Sequence, residues 1–191
     1  MKTIRLPLFL SAVLLAPGIS FATQTQDELL QESHQIIQKF VKGLKGELKA
    51  AMKKGGPVNA IQVCNEKAID ITETASKENG VTLSRTSLKL RNANNAPTAW
   101  QKEVLQQFAE RKSKGEGLKK MEFSEIVEVN GKQQFRYMKA MGVSKPCLHC
   151  HGEKALPAVE AKLTKLYPND MARGYHPGDL RGAIVLIKDL K

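Results

Sequence analysis

Past its N-terminal stretch the chain carries apolar residues with two different periods, and the switches between them lay out a fold. Leu30, Ile37, Val41, Leu44 and Leu48 fall at steps of seven, four, three and four, which puts them on one face of a helix. Thr25 is a natural N-cap for it, because Glu28 three residues on completes a capping box. Gly55-Gly56-Pro57 ends this helix and opens the next, since proline suits a first helical turn. The second helix is expected over 57–78, with Ile61, Cys64, Ala68, Ile71 and Ala75 sharing a face and Asn79-Gly80 as a left-handed stop. The stretch 81–90 then alternates and is rich in β-branched residues, as a strand does. Pro97 opens a third helix carrying Val104, Leu105, Phe108 and Ala109, and Gly115 and Gly117 close it. Segments 122–129 and 132–141 flank Asn130-Gly131, the dipeptide best suited to a two-residue hairpin turn. A short helix over 157–166 and a buried strand over 182–187 complete the order, which predicts an α+β domain on an antiparallel sheet.

The first residues obey different rules. Lys2 and Arg5 precede an almost wholly apolar run over 6–19, and Ser20-Phe21-Ala22 ends it with small residues at the positions a signal peptidase reads. The run is shorter than a membrane span and broken by Pro17-Gly18, so 1–22 is expected to be a signal peptide and 23–191 one soluble, periplasmic domain. The formal net charge is +11, but the basic residues are scattered among Glu and Asp without a block. That pattern, together with export, argues against a nucleic-acid partner.

Three cysteines in an exported chain require an account, because an oxidising compartment pairs free thiols. Cys147-Leu148-His149-Cys150-His151 has the spacing of covalent haem c attachment: two thiols add to the two vinyl groups and the adjacent imidazole reaches the iron. Pro146 and Gly152 fit a tight loop around it. A thioredoxin-like redox pair would need a βαβ setting that the preceding hairpin does not provide. A Cys3His zinc site made of Cys64, Cys147, Cys150 and His151 is the stronger rival. For the second axial position His34, His176, Met138, Met141 and Cys64 are all chemically capable. His34 and His176 sit among polar or turn residues, and the methionines suit plain core packing. Cys64 stands out, since it is an unpaired thiol on an apolar helix face beside the small residues Ala60, Ala68 and Ala75. Arg85, Arg91 and Arg136 are candidates for pairing with haem propionates, because a guanidinium fork matches a carboxylate.

Several segments together resemble a family of exported single-haem domains, first catalogued as a domain of unknown function, with a cyanobacterial c-haem protein as structural prototype. They are Ala60 to Cys64, Leu83-Ser84-Arg85-Thr86 through Arg91-Asn92, Asn95-Ala96-Pro97, Phe135-Arg136-Tyr137-Met138, Leu166-Tyr167-Pro168-Asn169-Asp170, Gly174-Tyr175 and Gly178-Asp179-Leu180-Arg181-Gly182-Ala183. The resemblance implies a PAS-like antiparallel sheet with long N-terminal helices, and iron held by the motif histidine, here His151, and a helix cysteine, here Cys64. Asn92-Ala93-Asn94 departs from the proline the family commonly carries there, so the loop before the third helix is expected to differ.

These readings converge on a periplasmic haem-binding redox or ligand sensor whose output lies in a separate partner protein. The main alternative is a small electron-transfer cytochrome working with a redox partner. No nucleophile–base pair or paired carboxylates mark an enzyme.

Overall fold

The computed structural model describes residues 24–190, so the expected signal peptide at 1–22 lies outside the described residues. Helix α1, Gln26–Asn79, begins with the expected capping box at Thr25 and Glu28 and stops at Gly80 in the left-handed region (φ 60°, ψ 35°). It is two helical arms joined at Gly55 and Gly56. Gly56 has φ +66° and ψ −163°, a backbone region that in practice only glycine occupies. The arms fold back antiparallel, which brings Lys39 to 3.2 Å from Glu78 and Lys67 to 3.8 Å from Glu47. Across the turn, Asn59 Nδ2 donates to the Ala51 carbonyl at 2.9 Å and satisfies one of the orphan acceptors of the first arm.

The buried line on the first arm differs from the expected one. Leu29, Ser33, Ile36, Ile37 and Phe40 are buried, whereas Leu30, Val41 and Leu44 flank them and Leu48 is exposed. Ser33 explains the difference: its Oγ donates to the Leu29 carbonyl at 2.8 Å, so a polar residue lies inside the apolar stripe and masks its period.

Four strands form one antiparallel sheet. They are β1 (Thr82–Thr86), β2 (Glu122–Val129), β3 (Lys132–Gly142) and β4 (Leu180–Asp189), in the spatial order β1-β4-β3-β2. β2 and β3 meet at Asn130 and Gly131, both at positive φ (53° and 75°), as the Asn-Gly signal requires. β1 is shorter than the expected 81–90. Ser87 Oγ accepts from Lys89 N–H at 3.1 Å, and this local turn draws the chain out of the ladder.

Three further helices are α2 (Ala99–Ser113), α3 (Leu148–His151) and α4 (Pro157–Leu166). The α1 hairpin covers one face of the sheet and α2 the other. Because strand side chains alternate, Phe135 and Tyr137 join Leu83, Ile184 and Leu186 beneath α1. Met138, Ala183 and Val185 join Val104, Leu105 and Phe108 beneath α2, while Ala109, expected on that apolar face, is exposed. A third cluster of Ile61, Val159 and Leu163 fixes α4 to the second arm of α1. Among the described residues no helix is long and apolar enough to cross a membrane.

Candidate functional site

The Cys-x-x-Cys-His segment follows directly from the end of β3, where a bulge between Met141 and Gly142 turns the chain away from the sheet. A 3-10 turn over Lys145–Cys147 then leads into the single helical turn α3. Ser144 N–H and Oγ lie 3.4 and 3.2 Å from Cys147 Sγ. Cys147 packs with Val143, Ala172 and Tyr175, and Cys150 packs with Ile61, Val159 and Leu163. The helix therefore holds its two thiols against separate apolar clusters, and Cys64, Cys147 and Cys150 are all free. Gly152 is needed for a local reason: a Cβ there would stand 2.8 Å from the Leu148 carbonyl oxygen.

His151 is fixed by its neighbours. Its Nδ1 donates to the Ala172 carbonyl at 2.9 Å, which leaves the lone pair on Nε2, 3.5 Å from Arg91 Nη1. Burial, with Arg91 and Arg181 adding repulsion, lowers its pKa to about 3 despite the Ala172 hydrogen bond. The imidazole is therefore neutral at physiological pH, with the unprotonated Nε2 that a metal ligand requires.

His151 lines a groove of about 230 Å³ between the first arm of α1, the end of β1 and the start of β4. Its remaining walls include Lys45, Arg85, Arg91, Arg181 and Met141, and among the described residues no carboxylate lines it. Arg91 ion-pairs with Asp170 at 3.1 Å and donates to the carbonyl of Cys150. Arg181 Nη1 donates to Ser87 Oγ at 2.8 Å, and its guanidinium lies 5.5 Å from the Tyr175 ring centroid. Arg85 has no carboxylate partner among the described residues. Burial holds the pKa of both Arg85 and Arg181 below the usual arginine range, which marks cations short of compensation. Such an arrangement calls for a bound anion, because a desolvated unpaired charge is costly.

Cys64 lies on the second arm of α1, one helical turn from Ile61, which contacts the cluster holding Cys150. Burial raises its pKa, and the charges of Arg85 and Arg91 oppose that rise. It thus shares the field of two arginines that line the groove.

Arg136 belongs elsewhere. It sits between Phe135 and Tyr137 on β3, and since those two face α1 it must face α2. There its Nη1 ion-pairs with Glu125 at 3.2 Å and its guanidinium stacks 4.9 Å from the centre of Trp100. The proposed propionate contact at Arg136 is therefore corrected, and Arg181 takes its place in the groove. Met138 is also on the α2 side and fully buried, His34 is bound to Glu122 at 2.9 Å, and His176 is exposed beside Glu153 and Asp179. Met141 alone of the rival ligands lines the groove. Among the described residues no three His, Cys, Asp or Glu side chains gather closely enough to hold a metal ion unaided, so Cys64, Cys147, Cys150 and His151 do not form a zinc tetrahedron. Sequence reasoning missed Arg181, Tyr175 and the Asp170–Ala172 segment as parts of the site. Their clustering within the closing segment was the available signal.

The donor set suits a haem c: two free thiols beside a neutral imidazole, and cations for two carboxylates. Fold and site thus define an α+β domain in which a helical hairpin, one sheet face and a Cys-x-x-Cys-His turn enclose a cationic groove. The sequence profile of the Tll0287-like family matches residues 21–188, and the chain belongs to that family. Among solved structures, the crystal structure of the cyanobacterial heme-protein Tll0287 is similar, with a TM-score of 0.59 and 24% identity, covering 85% of this chain and 95% of that one. No curated protein matches the chain.

Proposed function

We propose that this chain is an exported c-type haem protein, with Cys147 and Cys150 as the thioether attachment points, His151 Nε2 as the proximal iron ligand and Cys64 as the distal one. The observation that carries the reading is the state of His151: directly after the second thiol, neutral, its Nδ1 proton engaged by Ala172 and its Nε2 lone pair facing Arg91 Nη1 at 3.5 Å in a groove that Arg85 and Arg181 also line. Arg85, Arg91 and Arg181 neutralise the propionates, and Lys45 adds positive charge at the rim. When bound, haem c supplies a one-electron ferric–ferrous couple. Cys64 as thiolate favours the ferric state and lowers the potential.

The place of Cys64 on the helical hairpin supports a sensing role. It lies on the second α1 arm, which is joined to the first only through Gly55-Gly56 and so can respond to a weakened distal bond. The PAS-like character of the domain, the periplasmic location and a separate signalling partner belong to the same proposal, as does the absence of enzymatic turnover. Met141 supports a second reading, an electron-transfer cytochrome with His151 and Met141 as a fixed pair, because it lines the groove.

Absorption spectra of the exported protein beside Cys64→Ser and Met141→Leu, ferric and ferrous, separate the two. A Soret shift in the cysteine variant alone supports thiolate ligation. A shift in the methionine variant alone supports the electron carrier, and no shift in either contradicts both ligand assignments.

A further inference from the structure

The side chain of Asp170 is only 4% exposed, yet it is an acid, and its partners explain why it is kept there. Its Oδ1 accepts from the backbone N–H of Ala172 at 2.9 Å. Its Oδ2 accepts from Arg91 Nε at 3.2 Å and from Arg173 Nε at 2.6 Å, and Arg173 continues to Glu160 on α4 at 2.5 Å. Two of these partners are the groups that touch the His151 ring. The Ala172 carbonyl takes the Nδ1 proton, and the Arg91 guanidinium stands at Nε2 while donating to the carbonyls of Cys150 and Ala172.

One carboxylate therefore holds both sides of the imidazole. The Ala172 N–H and the Ala172 carbonyl belong to successive peptide groups, so the carboxylate acts on that hydrogen bond by position: with Ala172 pinned at its nitrogen, its carbonyl oxygen is held 2.9 Å from Nδ1. A ligating histidine whose Nδ1 proton is drawn more strongly becomes a better donor to the metal, and this favours the higher oxidation state.

We infer that Asp170 is a positioning residue that, by pinning the Ala172 backbone and Arg91, fixes the His151 ring and sets the redox balance of the iron it binds. The inference rests on the haem reading above and concerns a residue that reading does not require. Burial alone would raise the carboxyl pKa of Asp170, but the hydrogen bonds from Arg91, Ala172 and Arg173 hold it below the usual range, so the negative charge persists.

The test is redox titration of the haem-loaded full chain, with paramagnetic NMR of the ferric state to follow the His151 Nδ1 proton. Asp170→Asn should raise the midpoint potential and speed exchange of that proton with solvent, and Asp170→Glu should move both back towards wild type. Arg173→Gln strips a cation from the same carboxylate and should lower the potential; it decides the matter if Asp170→Asn does not fold. Glu125→Gln, on the opposite sheet face, should change neither readout. An unchanged potential in the Asp170 and Arg173 variants, or a shifted potential with an unaltered Nδ1 proton, overturns the positioning role. A wild type that takes up no haem overturns the haem reading itself, a separate and recognisable result.

Discussion

Arg85 and Arg136 both stand at interior positions of strands, and the two faces of one sheet give them opposite fates. Under α2, Arg136 has a carboxylate and an aromatic ring, so its charge is balanced within the chain. Under the α1 hairpin, Arg85 is half-buried beside Arg91 and Arg181 in a groove that no acid lines among the described residues. A paired arginine on a strand serves the fold, whereas Arg85, without a carboxylate partner among the described residues and gathered with Arg91 and Arg181 next to a neutral histidine, is placed as the proposed haem would need it. Substitutions on each face should therefore act differently.

The largest effect is expected at the loop itself: Cys147→Ala with Cys150→Ala removes all covalently held haem, measured by pyridine haemochrome after denaturation. On the opposite face, Phe108→Ala opens a cavity under α2 and costs about 3–5 kcal/mol in urea unfolding. The haem spectrum of the protein that remains folded should not change. The arginines give a finer contrast. Arg85→Gln should lower the midpoint potential, because a cation near the iron is lost, with little change in the denaturation midpoint. Arg136→Gln should leave the potential alone and cost about 1 kcal/mol of stability, as a partly buried ion pair and cation–π contact are lost.

The smallest effect concerns acid. Burial alone would raise the pKa of Glu122, but donors on Lys139, Tyr137 and His34 outweigh it and bring it down to about 2 from an ordinary 4.5. Its folded pKa is depressed, so its stabilising contribution is complete above pH 4.5 and is lost as pH falls towards 2. Glu122→Gln should flatten the acid limb of a circular-dichroism stability curve over that window while leaving the neutral-pH haem spectrum intact.

What the sequence revealed and what it concealed divide along local and non-local physics. The capping box at Thr25, the stop at Gly80, the Asn130-Gly131 hairpin and α4 were all legible because a few adjacent residues determine them. The attachment loop was legible for the same reason. The buried line of the first helix was obscured by one serine that bonds its own backbone, and the end of β1 by another. Arg136 was misplaced because the face of a strand residue depends on register with strands far along the chain. Arg181 and Asp170 were visible as residues, but only the antiparallel pairing of β1 with β4 and the return of the closing segment over α3 give them roles.

We propose that the thiols of Cys147 and Cys150 carry a porphyrin whose iron His151 binds. Intact-protein mass spectrometry and absorption of the chain made in a host competent for cytochrome maturation decide this. The expected product is a red protein heavier than its polypeptide by one haem, with the excess mass on the tryptic peptide containing both cysteines. A colourless product with the mass of the bare polypeptide would contradict it.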